Sequence, residues 1–169
     1  GASPQSSEKK RRQNVEDEED DVEDRVALKI LKRLDANANT TPNASPFDRM
    51  TNRLGNAFAD VGVGFGDNVA MMLHNRLEYL WTWFGLNRLG AVPVAINTAL
   101  KGTFLTHVLT NVRSRIAVVE PEFLPWLEDI EDTVPDLEVI YVVGDMPGAD
   151  ELPAFKRCTV HPFDDLMHA

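Results

Sequence analysis

From residue 45 onward, apolar positions switch between two spacings. In PFDRMTNRLGNAFADVG, Phe47, Met50, Leu54, Phe58 and Val61 recur at three- and four-residue steps, which predicts a helix with one apolar stripe. Ser45 suits its N-cap, Pro46 its first position and Asp48 its acidic first turn. NVAMML then runs apolar without a break and predicts a buried strand. Asn75 with Glu78 predicts a capping pair before LEYLWTWFGLNRLG, a helix apolar over most of its surface and expected to be well buried. AVPVAI predicts a second strand. KGTFLTHVLTNV predicts a helix with Phe104, Val108 and Val112 on one face and Leu105 and Leu109 beside them. RIAVVE predicts a third strand. PEFLPWLEDIEDTV predicts a helix whose Pro121 and Pro125 fall in its first turns, with the carboxylates of EDIEDTVPD on a solvated face. LEVIYVVG predicts a fourth strand, GDMPGADELPAF a polar loop, and FDDLMHA the start of a helix.

Helix and strand thus alternate four times, and the strands are short and rich in Val and Ile. Strands buried on both faces read this way. The expected fold class is α/β, a layered domain with a mainly parallel sheet and flanking helices. The region before it has a different character. Residues 1–24 predict a disordered charged tail in which KKRR precedes the acidic run EDEEDDVED. Residues 25–46 predict a short helix, VALKILKRL, followed by the polar linker DANANTTPNASP. Two sequons, at Asn39 and Asn43, are chance matches on this reading, since no secretory signal is expected.

Composition narrows the function classes. The chain has 169 residues and a net charge of -10, which argues against nucleic acid as a partner. No apolar run reaches the ~18 residues of a membrane span. The single cysteine, Cys158, excludes an internal disulfide framework, and the cytoplasm is the expected compartment.

The most inviting chemistry is GVGFGD, Gly62–Asp67, since glycine-rich loops cradle phosphates. A dinucleotide fingerprint requires strand, loop, then helix, so that loop N–H groups and a helix N-terminus meet the pyrophosphate. Here a helix ends and a strand begins, and a helix C-terminus carries the wrong partial charge for an anion. The stretch therefore reads as a helix-closing turn. Cys158 and His161 have C-x2-H spacing without a second pair, so no zinc site is expected. His107 reads as a satisfied helix residue, and Trp81, Trp83 and Phe84 read as core. His74 follows a strand at a place where α/β sites often lie; it either has a role there or is a plain loop histidine. No GxSxG, Walker loop or HExxH occurs.

Several stretches, in order, carry more. TNRLGNAF, then VGVGFGDNVA, then LHN follow the pattern T-N-R-L-A-x-x-L, x-G-V-x-x-G-D-x-V-A, L-P-N, with His74 where proline is common. LEYLWTWFGLNRLGAVPVAINTALKG, FLTHVLTNVRSRIAVVEPEFLPWL, LEVIYVVG and FDDLMHA continue the match. Here the block 47–144 resembles the N-terminal region of the adenylate-forming (AMP-binding) acyl-CoA synthetases. INTALKGTFLTHVL most resembles carnitine- and crotonobetaine–CoA ligase-like enzymes and some fatty-acyl-CoA ligases. The resemblance implies that residues 47–169 are an incomplete N-terminal domain of that fold. It also implies a full-length ligase of fatty acid metabolism that joins a carboxylic acid substrate to CoA, using ATP and Mg. That family's phosphate loop is expected just beyond Ala169. No catalytic, cofactor-binding or metal-binding residue is therefore carried over, and this stretch alone is expected to bind none of these groups and to be inactive. An unfinished domain would expose a sheet edge and an apolar face and would self-associate. The rival readings are a non-catalytic α/β interaction module and a generic nucleotide-binding domain.

Overall fold

A computed structural model describes residues 44–148 and 150–168. The tail, the 26–34 helix, most of the linker and the sequon asparagines lie outside the described residues.

Helix α1 (Pro46–Asp60) starts where its capping residues require. The Ser45 hydroxyl accepts from the Asp48 N–H at 3.1 Å and donates to the Asp48 carboxylate at 2.7 Å. That hydrogen bond, with Arg88 nearby, holds the Asp48 carboxyl below the usual range. Then follow β1 (Asn68–Met72), α2 (Leu77–Leu89), β2 (Val92–Ala95), α3 (Gly102–Val112) and β3 (Ile116–Val119). After them come α4 (Leu124–Glu128), β4 (Val139–Val142), β5 (Thr159–Pro162) and α5 (Asp164–His168).

The five strands form one sheet in the order β2-β1-β3-β4-β5, parallel throughout. The α/β expectation is borne out. The strand β5, reading TVHP, is additional to the four predicted, because its exposed and half-buried residues lack the apolar signature. Alternation along the strands builds two cores. Val69, Met71, Ile116, Val118 and Tyr141 face Leu54, Phe58 and Leu86 of α1 and α2, with Leu166 of α5. Ala70, Met72, Ala117, Val119, Ile140 and Val142 face Leu105 and Leu109 of α3 and Leu124 and Leu127 of α4. Ser114 ties β1 to β3 at their amino ends: its buried hydroxyl accepts from the Ala70 N–H at 3.0 Å and faces the Asn68 carbonyl at 2.8 Å.

Both edge strands carry a proline with a positional meaning. Val92 and Ile96 donate toward β1, so Pro93 turns its missing N–H outward; Thr159 and Phe163 donate toward β4, which turns Pro162 outward likewise. Outward prolines blunt strand addition at an edge.

Several expectations are corrected. Asn75 does not cap α2; Arg76 occupies the N-cap without a side-chain cap bond, and Glu78 is drawn to its guanidinium instead. Helix α2 is half open, with only Thr82, Gly85 and Leu86 buried, because its apolar residues ring the helix while one side meets the domain. Phe84 is exposed and meets the Phe47 ring edge-on at 5.4 Å. On α3, Leu105 and Leu109 are the core face and Phe104 stands 75% exposed. The single helix expected over 121–134 is three short pieces: a 3₁₀ turn Pro121–Phe123, α4, and a 3₁₀ turn Glu131–Thr133. Glu131 is not on a solvated face but buried.

The two helices of one layer touch through backbone. A Cβ on Gly85 would lie 3.1 Å from the Thr51 carbonyl oxygen and 3.2 Å from the Gly55 nitrogen, and a Cβ on Gly55 3.1 Å from the Gly85 oxygen. Neither neighbour is a movable side-chain tip. Gly85→Val is expected to force the helices apart and lower stability by about 1–3 kcal/mol, read as a reduced urea midpoint with unchanged slope.

Candidate functional site

Strand order reverses at β1: the chain runs from β1 outward to β2, then returns to β3 on the other side. In open parallel sheets, ligands bind outside the carboxyl ends of the strands at such a switch point. Leu73–Arg76 leave β1 there and Glu120–Phe123 leave β3.

The two chain ends are joined by one carboxylate. Glu120 accepts from the His74 N–H at 2.7 Å, from His74 Nδ1 at 2.7 Å and from Arg76 Nη1 at 2.7 Å. Arg76 also donates to Glu78 through Nε at 2.9 Å, so its guanidinium lies between the carboxylates of β3's end and α2's first turn. Burial pushes the Glu120 carboxyl up, but the His74 and Arg76 hydrogen bonds outweigh it and hold the group below its usual range. The Arg76 hydrogen bond lowers Glu78 in the same way. Gly144, at the end of β4 with φ 100°, brings backbone alongside this guanidinium; a Cβ there would lie 3.6 Å from Arg76 Nη1.

His74, which the sequence leaves as either a residue with a role here or a plain loop histidine, is held in place by Glu120. Its ring is 54% exposed, lies 5.4 Å from the Phe123 ring, and has Glu122 at 3.8 Å from Nδ1. A carboxylate at Nδ1 selects the tautomer that leaves Nε2 as an acceptor toward solvent. The sequence singled out His74 but missed Arg76, Glu78 and Glu120 as its partners. Their signal was positional: Glu120 directly follows a buried apolar strand, and Arg76 and Glu78 lie within six residues of the end of another. Among the described residues no group of three His, Cys, Asp or Glu side chains could hold a metal ion. The cluster is a hydrogen-bonded crest, richer in carboxylates than in cations, at the mouth of the sheet.

The other candidates separate. Gly62 (φ 84°) closes α1: its N–H bonds the Ala59 carbonyl and the Val63 N–H bonds that of Phe58. Gly64 donates to Asp67 Oδ2 at 2.8 Å, and Gly66 (φ 81°) to the Gly90 carbonyl at 2.8 Å. The N–H groups of Gly62, Gly64 and Gly66 are thus spent on the protein itself. A cleft of about 180 Å³ beneath the turn, lined by Asp67, Arg113 and Arg115, lies at the amino ends of the strands. Arg115 there donates to the Val61 carbonyl at 2.6 Å, neutralising a helix C-terminus. Cys158 donates to the Leu137 carbonyl at 3.2 Å while the His161 ring packs 5.9 Å from Tyr141, so the pair forms no ligand set. His107 pairs with Asn111 on α3.

This geometry is that of an open α/β domain with an all-parallel sheet, and the chain belongs to the AMP-binding enzyme family, matching it over residues 16–165. It is 35% identical over 101 residues to the crotonobetaine/carnitine–CoA ligase of Salmonella paratyphi B, which is 59% of this chain and 20% of that protein. The same figures hold for the enzyme of that name from Salmonella typhimurium. Among solved structures it is similar to an anthranilate CoA ligase in complex with anthranoyl-AMP, with TM-score 0.63 and 31% identity over 82% of this chain and 27% of that one. It is also similar to a Mycobacterium tuberculosis fatty acyl CoA synthetase, with TM-score 0.53 and 25% identity over 62% of this chain and 20% of that one. The chain spans about a fifth of the length of the curated relatives it matches.

Glu120→Gln keeps the size of the side chain and removes its charge. It is expected to lower stability by about 1–3 kcal/mol at pH 7, measured by urea unfolding. Because the folded carboxyl sits below its usual value, the wild-type advantage over the variant is full above the unfolded pKa and shrinks as pH falls below it.

Proposed function

We propose that this chain is the N-terminal part of an ATP-dependent acyl-CoA ligase. The family match over residues 16–165, with the 35% identity to a CoA ligase, carries the reading. A carboxylate is a poor electrophile. In the proposed reaction its oxygen attacks the α-phosphorus of ATP and pyrophosphate leaves, giving an acyl-adenylate; the CoA thiolate then attacks the acyl carbon and AMP leaves. The substrate class is a carboxylic acid, and we place the protein among the ligases of fatty acid metabolism and in the cytoplasm, consistent with a single buried thiol. ATP and CoA are substrates on this reading. The described residues offer no ligand set for Mg, so no step is assigned to them through the metal.

The contribution of residues 47–169 is scaffold. They supply the parallel sheet, the glycine-closed helices, and a crest whose one guanidinium is already held by carboxylates. Residues 1–24 are proposed as a charged tail and 25–46 as a short helix with a polar linker. The exposed apolar side chains of α2, Leu77, Leu80 and Phe84, favour association of this stretch when it stands alone, through a helix face rather than the proline-blunted edges. The same side chains favour the second reading, an interaction module without catalysis.

The two readings differ in one measurement. The 169-residue chain alone is expected to exchange no pyrophosphate into ATP with any carboxylic acid. A protein continuing beyond Ala169 is expected to do so and to form acyl-CoA. Robust turnover by the 169-residue chain contradicts the scaffold assignment, and inactivity of the longer protein across a broad panel of acids leaves the interaction module.

A further inference from the structure

The connection from β4 to β5 is unlike the others. Parallel strands are ordinarily joined by a crossover helix packed on the sheet. Between Val143 and Cys158 the described residues contain no helix, and the apolar side chains Met146, Leu152 and Phe155 are only partly buried over the second core. An edge strand reached by such a connection needs another anchor.

Glu131 provides one. Its side chain reaches across from the 3₁₀ turn after α4 and is 3% exposed. The carboxylate accepts three consecutive backbone N–H groups: Lys156 at 2.8 Å, Arg157 at 2.7 Å and Cys158 at 2.7 Å. Successive N–H groups converging on one anion form a nest, and here the anion belongs to the same chain. The residue after the nest, Thr159, begins β5 and donates to the Glu138 carbonyl at 2.8 Å. The Arg157 guanidinium turns back to the Glu131 carbonyl at 2.6 Å and to the Val134 and Pro135 carbonyls at 3.4 and 3.3 Å.

We propose that Glu131 is a carboxylate clasp that locks β5 and α5 onto the sheet, and that neutralising it releases the segment from Gly144 to His168 as a unit while β2, β1, β3 and β4 stay folded. The other charges around the clasp are accounted for. Lys156 pairs with Asp132 at 3.1 Å in solvent and also feels Glu128 and Glu131. Arg157 and Glu138 act on Cys158, whose thiol is pushed up to about 11 by burial and by Glu131, so it stays protonated at neutral pH. Burial raises the Glu131 carboxyl, but the three N–H groups prevail and hold it at about 2. A depressed folded value means that its stabilisation is full above the ordinary 4.5 and is lost as pH falls toward about 2.

The test is native-state hydrogen exchange on the full chain, read amide by amide, for wild type, Glu131→Gln and Glu131→Ala. At pH 7 both variants are expected to exchange the amides of Thr159, His161 and Phe163, which point toward β4, about 10- to 100-fold faster. The amides of β1 and β3 should change by less than about threefold on the same argument of local opening. Formate is small enough for the space vacated in Glu131→Ala; it should restore protection there and leave Glu131→Gln unchanged. Wild type supplies a check that needs no variant: as pH falls from 4.5 toward about 2, protection of β5 should be lost before that of β1 and β3. Unchanged β5 exchange in the variants overturns the proposal, as does equal acceleration in every strand or simultaneous loss of all strands in acidified wild type.

Discussion

A parallel pair of strands buried on both faces is the constraint from which the rest of this structure follows. β1 and β3 lie side by side at the centre of the sheet, and their residues are almost wholly excluded from water. Such a pair demands a helical layer above and another below. Reversal of the strand order at β1 helps to supply both, with α1 and α2 over one face and α3 and α4 over the other. The face carrying Ala70 and Ala117 offers short side chains, and α3 meets it through Leu105 and Leu109. The opposite layer is pressed close at Gly55 and Gly85, where backbone meets backbone.

Burying this pair leaves polar groups at its two ends, and the protein treats each alike. Ser114 satisfies an N–H of β1 at the amino end. Glu120 collects an N–H, an imidazole and a guanidinium at the carboxyl end. At the sheet edge, Glu131 collects three N–H groups from the approach to β5. In each case a polar side chain distant in sequence meets backbone that a regular strand or helix would leave unpaired, where an unmade bond costs about 1–3 kcal/mol. These bridges join elements that the hydrophobic pattern alone would only bring near one another.

Membership in the AMP-binding enzyme family gives the crest its context. At the mouth of the sheet, Arg76 is held between two carboxylates and the His74 ring is pinned through Nδ1, so the guanidinium is already engaged within the chain. The glycine turn lies at the opposite end, spending its N–H groups on helix ends and on Asp67. The stretch that looks most like a phosphate cradle is a hinge between a helix and a strand, while the charged mouth carries no motif.

Sequence by itself determined the alternation of elements and the class of fold. Ser45, Pro46, Gly62 and Gly90 set helix ends by local backbone chemistry, and the runs NVAMML, RIAVVE and LEVIYVVG declared themselves strands because both of their faces are apolar. The order of helix, turn and strand was enough to remove a phosphate site from GVGFGD, since that argument needs only neighbours in the chain. Tertiary structure alone decided which apolar residues are core. Phe104 and Leu105 are adjacent and both apolar, yet only Leu105 meets the sheet, because the docking angle of α3 is not written in its own periodicity. It alone decided β5, whose residues become a strand by pairing with β4. It also decided the fate of the acidic residues: Glu120 and Glu131 look like their solvated neighbours in the sequence. What distinguishes them is the set of N–H groups that segments 25 to 46 residues away bring within 2.8 Å.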